Sequence, residues 1–285
     1  MRVSSFVRVV ALALVAAVGA LTPGAAWAQG NSSNNGNAGL RAVPFVFIGN
    51  DGDCGAGTFG SHIVTSAWLG GMGLPDTDDT ALNGVAATKN DPHRGLLLSK
   101  NGPTTDCSAA GARIVGAQNA TVDTTTALGF DYRNGGHCGA GAPRFNLTVK
   151  PPTGPNTFHF VGGCANGTQT PAPQDPTQWT RARFVLTDPA QAFPPVPAGS
   201  TIVSLTVIFD EGTDSTSTQD PNGVGLAVID NIFVNNTFIR TGNGVADGTS
   251  GEVKNQRDDE DRNNQDNGAG NDANGGNNGL GVGRQ

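Results

Sequence analysis

The sequence predicts an all-β chain, folded as an antiparallel β-sandwich between two polar extensions. Three observations carry this. Apolar residues alternate at period two in many short segments, the pattern of a half-buried strand. The composition, with 42 Gly and 17 Pro and only Glu211, Glu252 and Glu260 as glutamates, suits turns and strands better than helices. No ten-residue window shows helical periodicity with a cap. Many short strands joined by Gly/Pro turns make a sandwich or a barrel.

The chain begins with an export signature. Arg2 and Arg8 flank the start of the apolar run Val9 to Leu21, Pro23 and Gly24 break it, and Ala26-Trp27-Ala28 follows. A basic start, a short apolar run and an A-x-A site predict a signal peptide over 1–28, with Gln29 as the first mature residue. The run is too short to span a membrane, which needs roughly 20 apolar residues. Residues 29–39 (QGNSSNNGNAG) form a polar leader. The segment 243–285, rich in Asn, Asp and Gly, forms a polar tail. Neither has the apolar surface to offset ordering entropy, and both are predicted to be disordered. One domain is left between them, over 40–242.

Within it the strands follow in order. Early candidates are 43–48, 62–69, 96–99 and 113–117. Leu128, Phe130 and Tyr132 share one face, with Asp131 and Arg133 on the other. Phe145, Leu147 and Val149 oppose Arg144, Asn146 and Thr148. Phe158 and Phe160 form an apolar face against Thr157 and His159. Ala182, Phe184 and Leu186 oppose Arg181 and Arg183, and Val203 to Phe209 alternates with Ser204 and Thr206. The last strand lies in 225–236, where Asp230 sits among branched apolar residues.

Four cysteines, Cys54, Cys107, Cys138 and Cys164, follow the leader. In an exported chain an even number predicts two disulfides, and no C-x-x-C suggests zinc. Phe145–Val149 and Phe158–Val161 read as a hairpin around Pro151 to Asn156. Folding it brings Cys138 and Cys164 together, which leaves Cys54 to pair with Cys107.

The formal net charge is −7, and loss of Arg2 and Arg8 makes the mature chain more acidic. This argues against nucleic acid and anionic membranes as partners. Catalytic signatures are scarce. G-x-S-x-G, H-E-x-x-H and the P-loop are absent. Glu211 is the one Glu inside the domain, and Asp210-Glu211-Gly212 reads as a turn rather than as half of a glycosidase carboxylate pair.

Three pieces carry a resemblance: Leu96-Leu97-Leu98-Ser99-Lys100, Ser204 to Asp210, and Val228-Ile229-Asp230-Asn231-Ile232. In this order they resemble strands of secreted bacterial jelly-roll domains of the carbohydrate-binding-module or galactose-binding-like kind. The likeness covers most of 60–240. The block Gly136 to Asn146 (GHCGAGAPRFN) also resembles a segment that recurs in secreted bacterial proteins. The resemblance implies a jelly-roll-like sandwich that binds extracellular carbohydrate or another cell-surface polymer without catalysis. A structural or adhesive matrix or envelope protein is the alternative, and a secreted hydrolase a third.

Candidate ligand residues follow from sugar chemistry. Trp68 and Trp179 are each either a stacking platform or a core plug. Arg144 and His159 occupy outward positions of their strands, as do Asp131, Asn146, Arg181 and Arg183. A structural Ca²⁺ is a further candidate. Asp51 and Asp53 on a Gly/Asn turn offer hard oxygen ligands, and modules of the resembling kind tie an early loop to the last strand, here at Asp230. The alternative is that Asp230 accepts hydrogen bonds from backbone N–H groups or Arg.

Overall fold

A computed structural model describes residues 39–49, 63–75 and 92–247. The alternating segments form strands, and every pairing is antiparallel. They are β1 (Arg41–Ile48), β2 (Val64–Leu69), β3 (Gly95–Lys100), β4 (Ser108–Val115), β5 (Ala127–Arg133), β6 (Arg144–Lys150) and β7 (Thr157–Gly162). After them come β8 (Thr168–Pro171), β9 (Trp179–Val185), β10 (Ala192–Phe193), β11 (Thr201–Phe209), β12 (Leu226–Val234), β13 (Thr237–Ile239) and β14 (Val245–Asp247). One 3-10 turn, Cys164–Asn166, is the helical element among the described residues.

Two sheets pack face to face. The six-stranded sheet runs β1-β4-β11-β6-β7-β10, and the eight-stranded sheet runs β14-β2-β3-β12-β5-β9-β8 with β13 paired to β12. From β3 onward the chain passes repeatedly between them, as in a jelly-roll-like sandwich. The core lies between the sheets. Ile114, Phe145, Leu147, Val207 and Phe209 on one side meet Leu96, Leu98, Phe130, Phe184 and Ile229 on the other. Phe130 touches Phe145 and Phe184 with ring centroids 5.8 and 5.7 Å apart. These are the tilted contacts aromatic pairs prefer, and they lock the sheets together.

A second, smaller cluster covers the far side of the eight-stranded sheet. There Leu74, Ala172, Trp179 and Val228 pack with Met72 and Leu97. β12 also carries a bulge between Asp230 and Phe233, where Asn231 adopts φ 45°. An extra residue breaks the period of two. Ala227, Ile229, Ile232 and Val234 therefore face the main core, while Val228 faces the small cluster. Asp230 thus does not share a face with Ile232 and Val234, as strict alternation predicts.

The eight-stranded sheet continues past the expected domain boundary at 242. β14 pairs with β2, Val245 opposite Ala67. Gly242 lies so close to the Trp68 indole that a side chain there would collide with it. The rest of the expected tail, residues 29–38 of the leader and the signal segment lie outside the described residues.

Cys138 and Cys164 form a disulfide with their Cα atoms 5.0 Å apart, as the hairpin reading predicts. Cys107 is also disulfide-bonded; its expected partner Cys54 lies outside the described residues. The Cys138–Cys164 bond closes a sequence separation of 26. Replacing both cysteines by Ser is expected to cost about 3 kcal/mol, mainly through a freer unfolded chain. Urea denaturation of the oxidised wild type and the double variant measures it; equal midpoints would contradict it.

Candidate functional site

The outer face of the six-stranded sheet is set by hairpin register. Residues directly opposite in an antiparallel pair share a face. Val149 pairs with Thr157, Leu147 with His159, and Asn146 with Phe160. Because Leu147 and Val149 face the core, His159 must face it too, and Phe158 and Phe160 must point outward. This reverses the expectation for this strand. His159 is 1% exposed; its Nδ1 donates to the Pro194 carbonyl at 2.7 Å, and its Nε2 pairs with the Thr157 hydroxyl at 2.7 Å. It is a core residue holding the chain after β10, and it does not face a ligand.

Phe158 and Phe160 are 47% and 42% exposed, and Phe193, opposite Phe160 on β10, is 44% exposed. Phe158 and Phe160 meet edge to face at 4.9 Å. Polar residues border the rings on the same face: Asn146 and Thr148 on β6, then Thr206 and Ser204 opposite them on β11. Arg144 extends over Phe160, its guanidinium carbon 5.1 Å from the ring centroid. Its charge is already matched. Nη1 and Nη2 donate to the two Asp210 carboxylate oxygens at 2.6 and 2.7 Å, Nη1 also donates to the Gly141 carbonyl, and Nε donates to Asn146 Oδ1. Arg144 is therefore a rigid, planar part of the aromatic surface rather than a free cation. Arg181 and Arg183, on β9, belong to the other sheet.

At one end of this face an open depression of about 370 Å³ is lined by Phe47, Thr104, Asp106, Gly141, Arg144 and Glu211. Beneath it lies Lys100, whose side chain is buried. Its Nζ donates to the carbonyls of Asp106, Asp210 and Thr104 at 2.6, 2.8 and 3.1 Å. Burial pulls its pKa down, against the charges of Asp106, Asp210 and Asp214. An ammonium in a cage of three carbonyls ties the loop after β3 to the end of β11.

The GHCGAGAPRFN block explains itself around Glu211. His137, fully buried, faces Glu211 Oε2 through Nε2 at 2.6 Å and Asp220 Oδ2 through Nδ1 at 3.3 Å. Glu211 Oε2 also accepts from the Ala142 N–H at 3.0 Å. Gly139 and Gly141 carry no side chain because one there would strike the Glu211 carboxylate. Burial works against the imidazolium, but hydrogen bonds and charge from Glu211, then Asp220, outweigh it and raise the His137 pKa. Glu211 is thus engaged as an acceptor; it is neither a turn residue in water nor half of an open carboxylate pair.

Trp68 is 2% exposed in the main core, its indole N–H donating to the Ala42 carbonyl at 2.8 Å. Trp179 is 4% exposed within the small cluster. Neither ring face is open to a sugar, because the segments beside each strand fold over these large apolar surfaces. Asp230 is buried and accepts from the backbone N–H groups of Asn231 and Leu74 at 2.6 and 2.7 Å. The Leu74 contact joins an early loop to β12 through this carboxylate. Asp51 and Asp53 lie outside the described residues, and among the described residues no group of three His, Cys, Asp or Glu is placed to hold a metal. The sequence reading missed Phe158, Phe160 and Phe193 as surface residues. Nothing in the local pattern marked them: Phe158 and Phe160 alternate with Thr157 and His159 as core residues would, and Phe193 lies in a separate segment on β10.

Comparison with known proteins adds no name to this geometry: no protein-family model and no curated protein matches the chain. Among the described residues no helix is long and apolar enough to cross a membrane.

Proposed function

We propose that this chain is an exported, non-catalytic β-sandwich module that binds a neutral extracellular polysaccharide on the outer face of its six-stranded sheet. One observation carries the reading: three exposed phenyl rings, Phe158, Phe160 and Phe193, stand together on an open sheet beside hydrogen-bonding side chains. Flat aromatic faces cover the apolar C–H faces of sugars. Asn146, Thr148, Ser204, Thr206 and Arg144 supply the few placed polar groups that such a site needs for orientation. Six strands spaced about 4.8 Å apart give a face roughly 24 Å wide, enough for several sugar units.

Charge supports a neutral ligand over an acidic one. Arg144 is neutralised by Asp210, and the chain as a whole is acidic. Export is supported by the leader and by disulfides, which persist in oxidising compartments. A structural or adhesive role has one observation of its own, since phenyl rings without a polar handle also suit an apolar protein contact.

A pull-down separates these. The oxidised protein is incubated with insoluble neutral polysaccharides (cellulose, xylan, mannan) and with acidic ones (polygalacturonate, alginate). Retention on a neutral polymer is expected. Retention on acidic polymers alone, or none together with concentration-dependent self-association in sedimentation, would overturn the reading.

A further inference from the structure

The segment between β11 and β12, residues 210–225, is long for a connection between strands. It is held near both ends by a single buried side chain. Glu211 meets His137 Nε2 at 2.6 Å, and Asp220 meets Nδ1 at 3.3 Å. Asp220 also organises the far half of the loop. Its Oδ2 accepts from the Val224 N–H at 2.8 Å, and its own N–H donates to Ser217 Oγ at 3.0 Å. Ser217 Oγ in turn accepts from the Cys138 N–H at 3.4 Å. The loop residues Thr216 to Gln219 wall an open depression of about 540 Å³ whose other side is Gly139, Ala140 and Gln169.

The chemistry of imidazole decides what this arrangement does. Both ring nitrogens face carboxylates, and both contacts are hydrogen bonds only when both nitrogens carry protons. A neutral ring has one N–H, so one lone pair then points at a carboxylate. The longer contact, to Asp220, is the one to yield. The groups facing the ring are Glu211 and Asp220, with the Phe209 ring edge-on at 5.7 Å. The next charges out are engaged elsewhere, Asp210 with Arg144 and Asp214 with Thr104.

We propose that His137 is a proton-dependent latch that closes the 210–225 loop over the adjacent depression when doubly protonated and lets its Asp220 end open when it loses a proton. The direction of the switch follows from linkage. His137 has a raised folded pKa, so its stabilising contribution is fully present below the ordinary histidine value and is lost as pH rises through the folded value. The loop is closed on the acid side and opens on the alkaline side. Because Glu211 also lines the depression at the end of the aromatic face, the device sits beside the proposed binding surface, but it does not depend on that reading.

Amide hydrogen exchange of the full oxidised chain tests it, with rates corrected for the intrinsic effect of pH. In the wild type, protection of amides within 215–224 is expected to fall at least about tenfold from the acid to the alkaline side, the loss of one charge-assisted hydrogen bond. Amides of β5 and β6 should not follow. In Asp220→Asn, which removes the repelling charge but keeps an oxygen for Val224, the fall should disappear; His137→Gln should likewise be flat. A flat wild-type profile would overturn the latch. So would an Asp220→Asn profile as steep as the wild type, and that comparison decides the matter even if His137→Gln does not fold.

Discussion

Replacing Asp131 by Ala is expected to lower stability by about 3–5 kcal/mol, the usual cost of removing one partner from a buried ion pair. Asp131 has no exposure to solvent, although strand alternation puts it on an outward face. Arg181 binds it in a fork, Nε to Oδ1 at 2.9 Å and Nη2 to Oδ2 at 3.0 Å. Asn231 Nδ2 donates to Oδ2 at 2.8 Å. Arg183 approaches Oδ1 at 3.4 Å and lies 4.6 Å from the Phe233 ring centroid. Loss of the carboxylate therefore leaves two part-buried guanidinium groups without their shared anion. It also removes one of two acceptors of Asn231 Nδ2 at the β12 bulge, the other being Gln174 Oε1. The urea midpoint should fall with an unchanged slope. A loss below about 1 kcal/mol would show that the cluster is mere surface charge.

Lys100→Met should cost about 3–4 kcal/mol. Replacing a buried charge by an apolar group is often harmless when its partners are replaced with it. Here the partners are the carbonyls of Thr104, Asp106 and Asp210, and they remain. Each polar group left without its donor in a part-buried site costs about 1–3 kcal/mol. The variant should also speed exchange of amides in 101–107, because the ammonium is what ties that loop to the end of β11. Wild-type stability in Lys100→Met would mean that water replaces the ammonium at little cost.

Much of the sandwich was legible because its main strands alternate. Phe130, Phe145, Phe184 and Val207 mark the core by period alone, and the Cys138–Cys164 pair follows from one hairpin. The rest was hidden for identifiable reasons. β8 (TQTP) has no apolar residue to alternate, and β10 is two residues long. The outward face of β7 turned on a one-residue register. Symmetric closure around Pro151 to Asn156 sets Lys150 opposite Thr157, whereas Val149 takes that place. A slip of one reverses every side chain, which exchanged His159 for the phenyl rings and moved the candidate surface. The buried charges were hidden by distance along the chain. Arg181 and Asp131 are 50 residues apart, His137 and Asp220 83, Lys100 and Asp210 110, and Leu74 and Asp230 156. A lone charge among apolar residues signals that a partner exists, but not which one.

The proposed ligand sits on the aromatic face of the six-stranded sheet. The direct measurement is affinity for the polysaccharide retained in the pull-down, compared between wild type, Phe160→Ala/Phe193→Ala, and Val185→Thr on the opposite sheet. Aromatic contacts of this kind are worth about 0.5–1.5 kcal/mol each beyond their buried area. The double variant should therefore bind at least about tenfold more weakly, with a urea midpoint close to wild type, while Val185→Thr binds unchanged. Undiminished affinity in the double variant would place the binding surface elsewhere and contradict the proposal.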